Sequence, residues 1–284
     1  MRHKKAYKYV ILLFFLTILT EHWIIKLVSD SRLERLSNET VIKQEFRDQE
    51  IGEELLEYVM DSRMPATEIG LYLLETKFGY QEFQGSLSEE TFTMLKHKWS
   101  KQEGWTVYQT TMKSIWNDLK YFPIPESTID SKMKVTYGNS WMAERTYGGK
   151  RGHEGTDIIA SQNVAGVYPV VSMTDGIVRS KGWLEKGGYR IGIEAPSGAY
   201  FYYAHLDSYT SIEIGDKIVA GNLLGFMGDT GYGVEGTTGK FPVHLHVGVY
   251  IYPEEKELSI NPYWLLRYLE KQRVKCAYSS GDIR

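Results

Sequence analysis

Residues 243–247, Val-His-Leu-His-Val, alternate apolar and imidazole side chains at every second position. Successive side chains of a β-strand point to opposite faces of the sheet, so this alternation predicts a strand that presents His244 and His246 on one face. Two histidines placed in this way are close enough to serve a single site. The motif by itself leaves open a second interpretation, in which both are structural histidines on a solvated strand face.

The sequence around this stretch has the same period of two. Short runs rich in β-branched and aromatic residues are separated by glycine-containing turns, a pattern typical of an antiparallel β domain. Glycine is concentrated here, because residues 127–284 hold 22 of the 27 glycines and residues 1–126 hold five. We therefore predict a β domain over residues 127–284 that closes with a helix over residues 262–271. The predicted strands include residues 170–171, 177–178, 190–194, 200–203, 217–219 and 243–249.

The region before the β domain is predicted to be helical. Between residues 112 and 119, apolar side chains recur at the i, i+3, i+4 and i+7 positions of one buried helical face. We predict four short helices between about residues 42 and 121. Prolines in the stretch 121–127 end any helix and force extended geometry, so we place a small helical module and its linker over residues 30–126.

The N-terminus indicates export from the cytoplasm. Four basic residues precede an uncharged apolar run over residues 9–20, and the wider window 9–28 has about the length that crosses ~30 Å of hydrocarbon. We predict that residues 1–29 form a cytoplasmic basic end and a signal-anchor transmembrane helix, with the rest of the chain outside the cell membrane. The alternative is secretion after signal cleavage, although no typical small-residue cleavage site follows the apolar run.

Composition excludes several classes of function. The 284 residues include 33 Lys+Arg against 36 Asp+Glu, which gives a formal net charge of −3. This balance lacks the basic surplus of a nucleic-acid-binding protein, so we expect no nucleic-acid partner. The single cysteine, Cys276, excludes an intrachain disulfide and a cysteine-based zinc site. A metal ion would therefore be held by His, Asp or Glu.

Two further motifs carry histidines. In residues 151–159, His153 and Asp157 could chelate one metal ion if the chain turns between them, and Gly155 offers a flexible point for that turn. Such a short motif also arises by chance. His205 follows an apolar run, and by itself it would more often be a buried, hydrogen-bonded core residue.

The order and spacing of four stretches resemble one known family. They are residues 152–158 (Gly-His-Glu-Gly-Thr-Asp-Ile), 203–206 (Tyr-Ala-His-Leu), 225–231 (Gly-Phe-Met-Gly-Asp-Thr-Gly) and 244–246 (His-Leu-His). Together they resemble the lysostaphin/LytM-type zinc endopeptidases of bacterial cell walls, over residues 134–265. The resemblance implies a LytM-like antiparallel β-sheet domain. The whole chain is then α+β, with the N-terminal transmembrane helix and the small α-helical module before that domain.

The resemblance also implies a site and a reaction. His153, Asp157 and His246 would bind one Zn²⁺ per chain, and His205 and His244 would be catalytic histidines that do not ligate the metal. Three protein ligands leave zinc an open position for water, which is the catalytic arrangement. The expected activity is hydrolysis of peptide bonds in peptidoglycan by a membrane-anchored metallopeptidase, with the helical module positioning it or binding an envelope protein partner.

Two departures from the family pattern affect substrate preference. Residues 236–243 lengthen the loop before the His-Leu-His motif, beside the expected groove, and Val247-Gly248 replaces the usual aromatic residue and glutamate after it. Loops around a groove decide which peptide fits, so the bond that is cut stays open. An alternative function is a catalytically silent LytM-type scaffold or activator in a division or sporulation envelope complex.

Overall fold

The computed structural model describes residues 11, 13–24, 36–147 and 149–281. Residues 11 and 13–24 are helical, and apolar side chains such as Leu13 and Trp23 are exposed. Within the described ranges, no helix is long and apolar enough to cross a membrane. The predicted transmembrane segment, residues 9–28, lies partly outside these ranges.

Five α-helices follow in the helical module, where we predicted four short helices. Residues at the N-terminus explain where two of these helices begin. Pro65 occupies the first turn of the third helix, and the Ser88 hydroxyl accepts a hydrogen bond from the Thr91 N–H at the start of the fourth. The extra helix has only five residues, too few for a periodic pattern to predict it. After a 3₁₀ turn, Asn38–Ile42, the helices are α1 Gln44–Asp48, α2 Glu53–Val59, α3 Pro65–Glu75, α4 Glu89–Trp99 and α5 Trp105–Trp116.

The module packs against the end of the β domain that carries the closing helix. That helix, α6 Tyr263–Leu269, is slightly shorter than predicted. The Trp116 and Tyr268 rings lie edge to face with their centroids 5.9 Å apart, and Arg267 pairs with Glu53 at 2.8 Å. These contacts join the two parts of the chain through both apolar and charged groups.

The β domain is built around one antiparallel sheet, as the period of two predicted. The strands are β1 Glu126–Ser127, β2 Val135–Tyr137, β3 Glu144–Arg145, β4 Arg151–Gly152, β5 Thr156–Ala160, β6 Pro169–Val171, β7 Gly176–Leu184, β8 Gly188–Glu194, β9 Tyr200–Tyr209, β10 Lys217–Ile218, β11 Leu223–Met227, β12 His244–Ile251, β13 Leu258–Ile260 and β14 Lys275–Cys276. Ten strands of the described residues belong to the sheet, in the order β10-β7-β8-β9-β12-β5-β2, with β11 paired to β9 and β6, and β13 paired to β12. Each stretch predicted as a strand overlaps an observed one, although residues 219 and 243 lie just outside β10 and β12.

The central strand β12 positions His244 and His246. It pairs with β9 on one side and with β5 on the other. Leu245 and Val247 are fully buried in the core, whereas His244 and His246 line a cleft on the other face. The predicted placement of both histidines on one face is therefore confirmed.

Candidate metal and catalytic site

Three side chains in the cleft bring potential metal-ligand atoms together. The His153 Nε2 atom lies 3.0 Å from His246 Nδ1 and 3.0 Å from Asp157 Oδ1, and the last two atoms are also 3.0 Å apart. The strand register brings two of these side chains together, because His246 on β12 pairs directly with Asp157 on β5. Zinc bonds of about 2.0–2.1 Å in a tetrahedral arrangement separate neighbouring ligand atoms by about 3.3 Å. The spacing and the nitrogen and oxygen donors therefore fit Zn²⁺.

A backbone carbonyl orients His153. Its Nδ1 lies 3.1 Å from the Ser140 carbonyl oxygen, which can only accept a hydrogen bond. The carbonyl can accept the Nδ1 proton when Nε2 binds a metal ion, which is how the second nitrogen of a ligand histidine is usually held. The short β3–β4 ribbon holds the residue in place, since the His153 N–H donates to the Ala143 carbonyl at 2.9 Å.

Gly155 is required for close approach. A Cβ atom at this position would lie 2.4 Å from His246 Cε1 and 2.6 Å from the Val247 carbonyl oxygen, so any larger residue would displace the His246 ring. The sequence predicts a flexible turn at this glycine between His153 and Asp157. Its main role in the structure is to leave room for His246.

Asp157 is held in its ionised form. Burial raises the pKa of its carboxyl, but hydrogen bonds and charges from His153 and His246 outweigh burial, and its pKa is well below the usual range. Arg145 also contacts the group, with its Nη2 atom 2.6 Å from Asp157 Oδ2 and 3.0 Å from His153 Nδ1. The outer carboxylate oxygen is thus occupied by Arg145, and Oδ1 faces the two histidines.

His205 enters the cleft through an irregularity in the sheet. The register between β8 and β9 shifts between the pairs Tyr189–Leu206 and Ile191–Tyr203, so β9 carries one extra residue there. His205 lies at this β-bulge with φ of 62°, a left-handed conformation that is uncommon outside glycine. A bulge re-aims a side chain, and it turns His205 away from the core position that regular alternation would give it.

Backbone carbonyl groups fix the tautomers of His205 and His244. The His205 Nδ1 donates to the Thr230 carbonyl oxygen at 2.7 Å, and the His244 Nδ1 donates to the Pro242 carbonyl oxygen at 2.8 Å. In both rings the unprotonated nitrogen is then Nε2. The ring centroids lie 4.6 Å apart, and His244 Nε2 is 3.8 Å from Asp157 Oδ1.

Both histidines are neutral at neutral pH. Burial is the main cause that lowers the pKa of His205 well below its ordinary value, and charges on His244 and His246 add to it. Burial also lowers the pKa of His244, although the Asp157 charge opposes this shift. Neutral imidazoles with an unprotonated Nε2 can accept protons.

These five residues line one cleft of about 720 Å³. Aromatic rings flank His205 and His244: the Phe241 ring centroid lies 4.7 Å from that of His205, and Tyr232 stacks against Tyr147 with 4.0 Å between centroids. Lys240 and Phe241 belong to the lengthened loop 236–243, so the prediction that this loop lies beside the groove is confirmed. Arg145, Arg190 and Tyr202 also line the cleft, and no sequence motif identifies them, because only their alternation in strands indicates that they face it.

Two protein-family models match this chain. The model described as "Peptidase family M23" matches residues 151–262, and the model described as "LytM, N-terminal domain" matches residues 31–118. A crystal structure from Ruminococcus gnavus ATCC 29149, of a candidate glycyl-glycine endopeptidase LytM, is 54% identical with a TM-score of 0.83. The match covers 87% of this chain and 99% of that chain. This chain belongs to the LytM-type M23 peptidases.

Two curated relatives of this M23 peptidase are named for different bonds. The L-Ala–D-Glu endopeptidase of Bacillus subtilis (strain 168) is 41% identical over 151 residues, which are 53% of this chain and 44% of the relative. The glycyl-glycine endopeptidase ALE-1 of Staphylococcus capitis is 35% identical over 66 residues, which are 22% of this chain and 18% of the relative. The chain thus spans less than half the length of each of these relatives.

Proposed function

We propose that this M23 peptidase is a zinc-dependent endopeptidase that hydrolyses a peptide bond in bacterial peptidoglycan. One observation carries the proposal: three ligand atoms 3.0 Å apart lie beside two buried histidines that present an unprotonated Nε2. A metal site with a neighbouring proton acceptor is the arrangement that metal-assisted hydrolysis requires. The curated relatives, both named endopeptidases, support a peptide substrate.

His205 and His244 are the residues we assign to proton transfer. Backbone carbonyls hold their Nδ1 protons, so Nε2 is the atom that takes up or releases a proton in each ring. A bound Zn²⁺ would lower the pKa of water to about 7 and polarise the peptide carbonyl. The histidines then accept a proton from the attacking water and return one to the leaving amine, which contributes about 10²–10⁴ in rate.

The helical module leaves the cleft accessible. None of its described residues lines the cleft, and the module contacts the β domain elsewhere, including at α6, where Trp116 meets Tyr268, and at β13, where Arg47 donates to the Ser259 carbonyl at 3.3 Å. This arrangement favours an active peptidase over a silent scaffold. We assign to the module the role of positioning the peptidase or binding an envelope protein partner.

We also propose that residues 9–28 anchor the chain in the bacterial cell membrane, with the module and the β domain outside. Exposed apolar side chains on the N-terminal helix, including Phe14 and Leu19, support this proposal. Fractionation of cells that express the full chain tests it. A full-length chain in the membrane fraction supports the anchor, and a shortened chain in the medium would instead indicate signal cleavage.

The activity is tested by release of new amino groups from purified peptidoglycan. Full-length protein in mild detergent is assayed as purified, after removal of metal with a chelator, and after return of one equivalent of zinc. We expect release that disappears with the metal and returns with zinc. A zinc-loaded protein that releases no amines would contradict the proposal and favour the scaffold.

A further inference from the structure

The sheet face that forms the cleft carries a row of residues across four strands. The register on either side of Arg190 places it on β8 opposite the bulge Ala204–His205 of β9. Ala204 pairs with His246 on β12, and His246 pairs with Asp157 on β5. Neighbouring strands lie about 4.7–4.9 Å apart, so two strand spacings, about 10 Å, separate Arg190 from His246 along the row.

The floor between Arg190 and His246 is open because the residue between them is small. Ala204 extends only a methyl group into the cleft, and it lines the cleft together with Arg190 and His246. Tyr202 lies beside Ala204 in the cleft, and its ring centroid is 6.1 Å from that of His246. Burial raises the pKa of Tyr202, and the positive charge of Arg190 opposes that shift.

The Arg190 side chain is half-buried, and its Nη1 atom is buried without a hydrogen-bond partner among the described residues. By contrast, Arg179 on the neighbouring strand β7 is exposed and pairs with Glu194 at 2.7 Å. A buried charged donor without a partner costs stability, and a ligand that supplies an acceptor would remove this cost.

The charge of the cleft indicates the sign of that ligand. The chain has a formal net charge of −3. The cleft lining, however, holds five Lys and Arg residues and three acidic residues, one of which is the candidate metal ligand Asp157. Arg145 and Arg151 also lie directly opposite each other on the β3–β4 ribbon, a pairing of like charges that destabilises a ribbon. A cleft of this kind attracts a negatively charged substrate.

We propose that Arg190 forms a carboxylate-binding subsite, and that the peptidase takes peptides with a free carboxylate beside the bond that is cut. This inference rests on the proposed function and specifies its substrate class. The planar guanidinium group binds a carboxylate through two parallel hydrogen bonds, a geometry that lysine does not reproduce.

The subsite distinguishes between the two bonds for which the relatives are named. A glutamate residue keeps one ionised carboxyl whichever of its carboxyls forms the peptide bond, whereas a glycine within a chain has none. An L-Ala–D-Glu bond therefore offers Arg190 an acceptor, and a Gly–Gly bond leaves the guanidinium unpaired. The subsite favours the glutamate-containing stem peptide of peptidoglycan over a glycine bridge.

The experiment compares two peptides that differ at one group. Both contain L-Ala–D-Glu, and in the second peptide the free glutamate carboxyl is amidated. Equilibrium binding and kcat/KM are measured for the full-length, zinc-loaded protein and for Arg190→Gln, Arg190→Lys and Arg179→Gln. Hydrogen bonds to charged groups predict that the wild type prefers the acidic peptide by about 10- to 100-fold in both measurements.

The variants separate recognition from a structural role of Arg190. We expect Arg190→Gln to bind and cleave both peptides about equally, Arg190→Lys to keep a small preference for the acidic peptide, and Arg179→Gln to behave as the wild type. If the wild type binds both peptides equally and cleaves them with equal kcat/KM, the subsite is overturned and the proposed function stands. A tenfold binding preference without cleavage of either peptide would support the subsite and contradict the proposed function. A wild type that neither prefers nor cleaves either peptide would contradict both.

Discussion

The helical module and the cleft of the β domain differ in how some of their buried polar groups are paired. In the module, Trp116 donates its Nε1–H to the buried Gln49 side chain at 2.8 Å, and the Tyr108 hydroxyl donates to the Gly70 carbonyl at 2.7 Å. In the cleft, Arg190 Nη1 is buried without a partner among the described residues, and His205 has a left-handed backbone. Paired buried groups stabilise a fold, whereas unpaired and strained groups cost stability and concentrate at functional sites.

This difference predicts how each part responds to substitution. Changes in the cleft should alter metal binding and chemistry more than they alter folding. Changes to the paired groups of the module should lower the free energy of unfolding without altering the chemistry of the folded protein.

The largest effect is expected for His246→Ala. The substitution removes one of three ligand atoms and leaves two, so we expect zinc content and amine release to fall to background. Zinc is measured by elemental analysis of the purified protein. His97→Ala is the matched control, because His97 lies exposed on α4, away from the cleft. Retention of one zinc per chain by the His246 variant would show that the ligand set is wrong.

A smaller effect is expected for His205→Ala. Its imidazole lies beside the ligand set but contributes no atom to the 3.0 Å cluster, so zinc should be retained. Loss of a positioned proton acceptor should lower kcat by about 10²–10⁴-fold. The same elemental analysis, run beside an assay of turnover, separates the two roles. Zinc loss equal to that of His246→Ala would contradict them.

The sequence predicted the regular parts of the site. The alternation in residues 243–247 places His244 and His246 on one face of a buried strand, and the structure confirms it. His153, Asp157 and His205 were brought to the same site by resemblance to a family, since each motif alone was too short to decide between a site and a chance pattern.

The irregular parts could not be predicted from local pattern. The bulge that turns His205 into the cleft depends on how β9 pairs with β8, a contact between distant stretches of sequence. The need for glycine at position 155 depends on the His246 ring, which lies 91 positions further along the chain. The position of Arg190 also depends on contacts between distant stretches, because only the register of four strands places it in line with the candidate ligands.

A third prediction concerns pH. Burial, with added repulsion from His244 and His246, lowers the pKa of His205, so the folded protein keeps this imidazole neutral at a pH where the unfolded chain binds a proton. Its contribution to stability is therefore full above about pH 6.5 and declines as the pH falls below that value. Activity should stay level from pH 8 through 6.5, the ordinary value for an imidazole, and should fall by about tenfold per unit only below the lowered pKa of His205.

The pH profile has a built-in control. Zinc content is measured in the same samples, because metal binding also needs unprotonated ligands. A fall in activity while zinc is retained would indicate protonation of the acceptor, and a parallel loss of zinc would indicate protonation of the ligands. A fall in activity that already begins at about pH 6.5 while zinc is retained would contradict the lowered pKa of His205.

The smallest effect on chemistry is expected in the module. Trp116→Phe keeps an aromatic ring in the core but leaves the buried Gln49 oxygen without its donor, so the free energy of unfolding should fall by about 1–3 kcal/mol. Trp264→Phe is the matched control, because the Trp264 Nε1 atom is buried without a partner among the described residues. Removing that nitrogen should cost less than removing the one that is bonded. Urea denaturation of both variants, with zinc content and turnover measured in parallel, tests this expectation. A Trp116 variant that loses turnover while it stays folded and zinc-loaded would show that the module acts on the chemistry of the cleft.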